Sequence, residues 1–209
     1  AEARRANRDL VRLMVVEGYM DVVALAQHGV ANAVATLGTA TSQAHFEKLF
    51  RHTREVVCCF DGDSAGRSAA WKSLGSAFPT LEQGRLLKFV FLPDGHDPDT
   101  LIRADRPQFE RLVESAVSAG DYFFNEIRAD IDMSSMDSRV RLVELAVPLI
   151  AKIPVGIYRS MMIERLAGEA GISPGVIEQR LGGATADRPS PMAAPKAESK
   201  LGRKLTGLL

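Results

Sequence analysis

Val56-Val57-Cys58-Cys59-Phe60-Asp61-Gly62-Asp63 is an unbroken apolar run that ends in two carboxylates flanking a glycine. A run that is apolar at every position, rather than at alternate ones, is buried on both faces, as a central strand of a parallel sheet is. Residues just past the carboxyl ends of such strands converge on one edge of the sheet, where α/β proteins bind their ligands. Two further stretches repeat the arrangement. Glu17 and Asp21, in Glu17-Gly18-Tyr19-Met20-Asp21, follow the apolar residues 13–16, and Asp97-Pro98-Asp99 comes shortly after the apolar residues 86–92.

Around these stretches the first half of the chain alternates strand and helix signals at the short spacing of parallel βαβ units. Strands are expected at 13–16, 33–36, 56–60 and 86–92. Helices are expected at 19–27, stopped by Gly29, from Thr41 or Ser42 as cap to about His52, and over about 65–78. Beyond Pro107 the pattern is helical only, at 108–119, 121–131, 138–152, 155–168 and 173–181, with breaks at Gly120, Pro154 and Gly171-Ile172-Ser173-Pro174. From Gly182 the composition turns to Gly, Ala, Pro, Ser and Lys, as in a linker or tail, and residues 200–209 become amphipathic again. Residues 1–9 read as a charged, uncapped helical piece, the tail of a preceding element.

Composition narrows the class. The chain of 209 residues is 46% hydrophobic and 25% charged, which suits a soluble globular protein of one sizeable or two small domains. It has no apolar stretch of membrane-span length and no signal-peptide pattern. Cys58 and Cys59 are adjacent in a strand and face opposite sides, so a structural disulfide is not expected and a reducing cytoplasm fits. Lys and Arg balance Asp and Glu at 26 each, which gives no general electrostatic case for gripping nucleic acid alone.

Carboxylates gathered at one sheet edge repel one another unless cations lie between them. Hard Mg²⁺ or Mn²⁺ ions take oxygen ligands, so a metal site is the economical reading of Glu17, Asp61, Asp63, Asp97 and Asp99, with Asp21 in support. Each stretch also has an ordinary structural reading. Asp61-Gly62-Asp63 suits an Asx turn that caps a helix, Glu17 and Asp21 complement a helix N-terminus, and Asp97-Pro98-Asp99 suits a helix entry. Their coincidence at one edge argues for the metal. An ion pair about 4 Å apart would clamp the attacking and leaving oxygens of a phosphoryl transfer. There is no Gly-Lys-Ser/Thr phosphate loop, nucleophile elbow or Cys/His zinc spacing to compete with it. Arg67 and Lys72, on the helix behind Asp61-Gly62-Asp63, are candidates for phosphate contact or an ordinary solvated face. His96, beside the carboxylates, is expected to face solvent.

Glu17 with Asp61-Gly62-Asp63 resembles the TOPRIM signature of primases, topoisomerases and small nucleases. The longer strings Val16-Glu17-Gly18-Tyr19-Met20-Asp21, Thr36-Leu37-Gly38-Thr39-Ala40, Phe60-Asp61-Gly62-Asp63-Ser64-Ala65-Gly66 and Leu92-Pro93-Asp94-Gly95-His96-Asp97-Pro98-Asp99, in this order, resemble the bacterial replicative primases of the DnaG type. The resemblance covers about residues 8–181. It implies a TOPRIM-type, Rossmann-like parallel sheet flanked by helices over 10–119, an all-α subdomain over 120–181, a remnant of the preceding subdomain at 1–9 and a linker at 182–209. It also implies synthesis of short RNA primers on single-stranded DNA from ribonucleoside triphosphates, with two divalent ions held by Glu17, Asp61, Asp63, Asp97 and Asp99. Glu17 acts there as ligand or as general base. The family's zinc-binding N-terminal domain, its basic subdomain and the C-terminal domain that contacts the replicative helicase lie outside this chain, so zinc is expected only in the absent domain. The chain is expected to be a cytoplasmic monomer. A topoisomerase needs a nucleophilic tyrosine, and Tyr19, Tyr122 and Tyr158 have no such setting. A small TOPRIM nuclease would share the metal site, and a metal- and nucleotide-binding module without independent activity is the non-enzymatic reading.

Overall fold

The computed structural model describes residues 10–36, 41–82 and 84–183. The expectations for 1–9, for Leu37-Gly38-Thr39-Ala40 and for the tail from 184 lie outside the described residues. Strand β1 (Arg12–Val16), helix α1 (Tyr19–Gln27), strand β2 (Ala33–Ala35), helix α2 (Gln43–Phe50), strand β3 (Glu55–Phe60), helix α3 (Ser64–Ala77) and strand β4 (Leu86–Phe91) alternate along the chain. Ser42 caps α2 by accepting the His45 N–H, and Gly29 turns the chain out of α1 with φ of 85°. Helices α4 (Pro98–Ala104) and α5 (Arg106–Glu114) follow β4.

The sheet order is β2-β1-β3-β4-β5, and its first four strands are parallel. The run at 56–60 occupies the centre, as its continuous apolarity requires. Val56, Cys58 and Phe60 face a layer that includes Phe46 and Phe50 of α2 and Ala70 and Leu74 of α3. Val57 and Cys59 face Ala24 and Leu25 of α1, Leu101 and Ile102 of α4 and Phe109 of α5. The two cysteines therefore lie in different cores, both free and buried.

Two expectations fail in one place. The helix expected over 108–119 stops at Glu114, and Val117–Ser118 form β5, antiparallel to β4 through Lys88↔Ser118 and Phe89↔Val117. A two-residue edge strand is too short to show a period, so the helical periodicity runs unbroken across it when only the sequence is read. Gly120 is no break either. Ser118 caps α6 (Ala119–Arg128) by accepting the Asp121 N–H at 3.1 Å, and Gly120 lies inside that helix. A Cβ there would come within 3.3 Å of Met162 Sδ and 3.4 Å of Tyr158 Oη, so this glycine marks close helix packing.

Helices α7 (Met136–Ile150), α8 (Ile157–Ala170) and α9 (Pro174–Gly183) complete the chain, with Pro154 before α8 and Gly171 closing it at φ of 70°. This helical layer joins the sheet through aromatics. Tyr122 packs on Phe89 at 4.7 Å between centroids, and Phe123 meets Phe78 at 5.5 Å. Such pairs add about 0.5–1.5 kcal/mol each beyond their burial. Arg165 ties α8 to α6 through Asp121 at 2.6 Å while its guanidinium lies 4.4 Å from the centre of the Phe124 ring.

Two glycines fix the turn out of β3. A Cβ on Gly62 would fall 2.1 Å from the Leu92 carbonyl oxygen, and one on Gly66 would fall 2.2 Å from that of Asp61. Both obstacles are backbone atoms and cannot swing aside. Gly62→Ala and Gly66→Ala are expected to cost about 3 kcal/mol or more each in urea unfolding. Gly75→Ala, in the interior of α3 with nothing within 4 Å of its added Cβ, is expected to gain about 0.5–1 kcal/mol in the same assay.

Candidate metal centre

Glu17 and Asp61 leave neighbouring parallel strands, each one residue past its end: β1 closes at Val16 and β3 at Phe60. Asp63 and Asp97 begin the helices that leave the same edge. Asp63 is the N-cap of α3, with Oδ1 accepting the Gly66 N–H at 2.7 Å. Asp97 is the N-cap of α4. Its Oδ1 accepts the Thr100 N–H at 2.7 Å and Thr100 Oγ1 accepts the Asp97 N–H at 3.0 Å. Asp99, in the first turn of α4, pairs with Arg103 one turn on. Asp21 folds back on its own helix start, where Oδ2 accepts the Gly18 N–H at 3.0 Å. The ordinary structural reading thus holds for Asp21, Asp63, Asp97 and Asp99.

Glu17 and Asp61 differ. Their carboxyls are raised by partial desolvation first and by other carboxylates next, with no hydrogen bond or cation opposing among the described residues. Asp63 and then Asp21 act on Glu17; Glu17, Asp21, Asp63 and Asp97 act on Asp61, which is pushed up to about 6. Burial also raises Asp21, whose own balance includes Asp97 and Asp99. Asp97 is lowered, chiefly by the Thr100 N–H. The three stretches therefore share one electrostatic site. Among the described residues no three His, Cys, Asp or Glu side chains form a ready-made metal cage. The donor set fits a hard divalent ion: it consists of carboxylate oxygens only, and two of them carry repulsion that a cation would relieve.

Other sequence-based expectations fare unevenly. The Arg67 guanidinium lies 5.4 Å from the centre of the Phe91 ring, and its charge lowers the otherwise raised Glu126 carboxyl, so it is engaged toward α6. Lys72 is exposed on α3, about 13 Å along the helix from Asp63. His96, expected to face solvent, is half-buried, and its enclosed Nδ1 has no hydrogen-bond partner among the described residues. A Cβ on Gly62 would run into the loop after β4, which is why glycine is required between the two carboxylates. Thr100 and Arg103 are absent from the sequence-based set, although the Asp97-to-Thr100 capping spacing and the Asp99-to-Arg103 helical spacing are there to read.

The raised carboxyl of Asp61 has a pH consequence. Its folded value of about 6 exceeds the ordinary 3.8, so the group favours folding below about pH 4, and that contribution is lost as pH rises through 6. Asp61→Asn is expected to stabilise the metal-free chain at pH 7 by about 1 kcal/mol after allowance for solvent screening. It should also flatten the fall in stability between pH 4 and 7. Thermal melts in chelator across that range check both. Asp63→Ala should instead destabilise by about 1 kcal/mol, because it removes a helix cap.

Residues 14–102 match the Toprim-like family model, and residues 121–175 match the model of the DnaB-helicase binding domain of primase. The chain is 48% identical over 174 residues to the DNA primase of Pseudomonas aeruginosa, covering 82% of this chain and 26% of that protein. It is 44% identical over 209 residues to the DNA primase of Escherichia coli, covering all of this chain and 36% of that protein. The chain thus spans between a quarter and two fifths of these relatives' length. Among solved structures, a DNA primase domain from Pseudomonas aeruginosa superposes with a TM-score of 0.84 at 46% identity, over 87% of this chain and 57% of that one. A DnaG primase catalytic domain bound to single-stranded DNA gives 0.79 at 46% identity, over 83% and 56%. With its TOPRIM sheet and the helices behind it, this chain belongs to the bacterial DNA primases of the DnaG type, of which it holds one part.

Proposed function

We propose that this chain carries the metal-binding part of a primase that makes short RNA primers on single-stranded DNA from ribonucleoside triphosphates. The observation that carries the reading is the pair Glu17 and Asp61 at the carboxyl edge of a TOPRIM sheet, repelled by their neighbours and, among the described residues, unrelieved by any cation. Glu17, Asp61 and Asp63 would hold the ions, with Asp97 and Asp99 completing the set. Two Mg²⁺ or Mn²⁺ ions, when bound, lower the pKa of the primer 3′-hydroxyl and neutralise charge on the triphosphate. The chain's own contribution is position. Gly62 and Gly66 seat the turn after β3 against backbone, and the cap bonds of Asp63 and Asp97 aim those carboxylates. The raised carboxyl of Glu17 also suits a general base nearer neutrality.

Residues 10–119 would form the catalytic unit and 120–181 the helical one. The match of 121–175 to a helicase-binding model supports a helicase contact within this chain, besides any in a following domain. No helix among the described residues is long and apolar enough to cross a membrane. The nuclease reading is not favoured, because the relatives are named as DNA primases.

The test is a chimera in which residues 10–181 replace the matching region of the Escherichia coli primase. Labelled ribonucleotide incorporation on single-stranded DNA with Mg²⁺ is expected, and Asp61→Asn and Glu17→Gln should each lower it about 100-fold or more. A folded chimera that makes no primers, or that keeps its activity with Asp61→Asn, overturns the reading. Degradation of the template without triphosphate would turn it toward a nuclease.

A further inference from the structure

Tyr19 and Met20 are each 64% exposed, although both are large and largely apolar. They open α1 at the edge where the acids gather, two and three residues past Glu17. The inward face of α1 is supplied by Ala24 and Leu25, which pack with Leu101 and Ile102 of α4. Tyr19 and Met20 join neither of the two cores. Among the described residues of the sheet half, the other large exposed apolar side chains are Val11 and Leu86, at the opposite edge, and Val117 in β5. One exposed apolar residue is ordinary, but an adjacent pair beside a ligand-binding edge is the kind of patch that serves recognition rather than folding.

Direction and reach both bring the pair to the acids. Every Cα–Cβ bond of a helix tilts toward its N-terminus, so side chains in the first turn of α1 lean toward the carboxyl edge of the sheet. Two residues of chain span at most about 7 Å, which keeps the Tyr19 backbone that close to Glu17. We propose that Tyr19, with Met20 beside it, is the platform on which the nucleobase of a nucleoside triphosphate rests while its phosphates meet the acidic edge through the ions. This rests on the proposed metal site for the phosphates, but the platform itself needs no metal. An aromatic face stacks on any base, and a polarizable thioether packs against a ring. Such a contact holds all four bases alike, as a template-directed reaction requires, because pairing with the template selects the base. The tyrosine hydroxyl has no part in stacking, so phenylalanine serves as well and alanine does not.

The experiment compares wild type, Tyr19→Ala and Tyr19→Phe in the whole chain. Tyr19 is exposed, so both variants are expected to melt within about 2 °C of wild type. Calorimetry with Mn²⁺ measures the binding of ATP and of inorganic triphosphate, which has the phosphates without the base. Separately, adenosine is titrated in chelator while the Tyr19 ring and Met20 methyl resonances are followed by NMR. Wild type is expected to bind ATP about tenfold more tightly than inorganic triphosphate. Tyr19→Ala should lose most of that preference while holding inorganic triphosphate within about twofold of wild type, and Tyr19→Phe should keep the preference. Adenosine should shift the Tyr19 and Met20 resonances with no metal present. Equal affinity of wild type for the two probes overturns the inference, as does a Tyr19→Ala that keeps the wild-type preference or weakens both probes alike. If wild type binds neither probe, the proposed metal site fails by itself, and adenosine then decides: shifts at Tyr19 and Met20 uphold the platform, and unshifted resonances overturn it.

Discussion

Mutual repulsion among carboxylates that leave one edge of a parallel sheet is the constraint around which this structure is arranged. In β1 and β3, neighbouring parallel strands, the chain places Glu17 and Asp61 one residue beyond the last paired apolar positions. There the sheet ends and desolvation is still substantial. Among the described residues neither group has a cation to answer it, and burial with the neighbouring carboxylates pushes the carboxyl of Asp61 up to about 6. A fold that holds such an arrangement must resist it by other means, and the means here are backbone contacts that side-chain motion cannot relax.

Helix N-termini supply part of that resistance. A parallel βαβ layout brings strand ends and helix starts to the same edge, so amide donors and the positive ends of helix dipoles converge where the acids are. Asp21, Asp63 and Asp97 are each bound to one such start. The capping reading and the metal reading are therefore not rivals at these positions. A cap bond uses one carboxylate oxygen, lowers the group's proton affinity and orients the rest of it. Asp97, lowered by Thr100, shows the effect, whereas Glu17 and Asp61, with no helix start to bind, keep their raised carboxyls.

Much of this is legible in the residues. The continuous run at 56–60 can only be a strand buried on both faces, and the acids after three apolar runs have to meet once those runs become neighbours. Ser42 as a cap, Pro154 and Gly171 as stops, and the separation of Cys58 from Cys59 follow from local chemistry. The features that escape the sequence depend on contacts between distant residues. β5 exists only because Val117 and Ser118 lie beside Phe89 and Lys88, and two residues carry no period. Gly120 misleads because a glycine that admits Met162 and Tyr158 looks, in sequence, like one that ends a helix. At Gly62 the demand for glycine comes from the Leu92 carbonyl, remote in sequence. Arg67, a candidate for phosphate contact, lies with its guanidinium over the Phe91 ring, which is remote in sequence.

The same distinction explains why the acidic positions differ in what their removal reveals. Asp63 and Asp97 each serve their own helix, so their loss mixes a structural cost with any effect on an ion. Glu17 and Asp61 gain nothing from a cap or a cation, so the effect of neutralising them is chiefly the electrostatics of the site. A carboxylate retained at a position where it only destabilises the metal-free chain calls for a reason outside the folding of that chain. In a TOPRIM sheet of the primase family, with oxygen donors only and repulsion left standing, the reason we propose is a divalent ion.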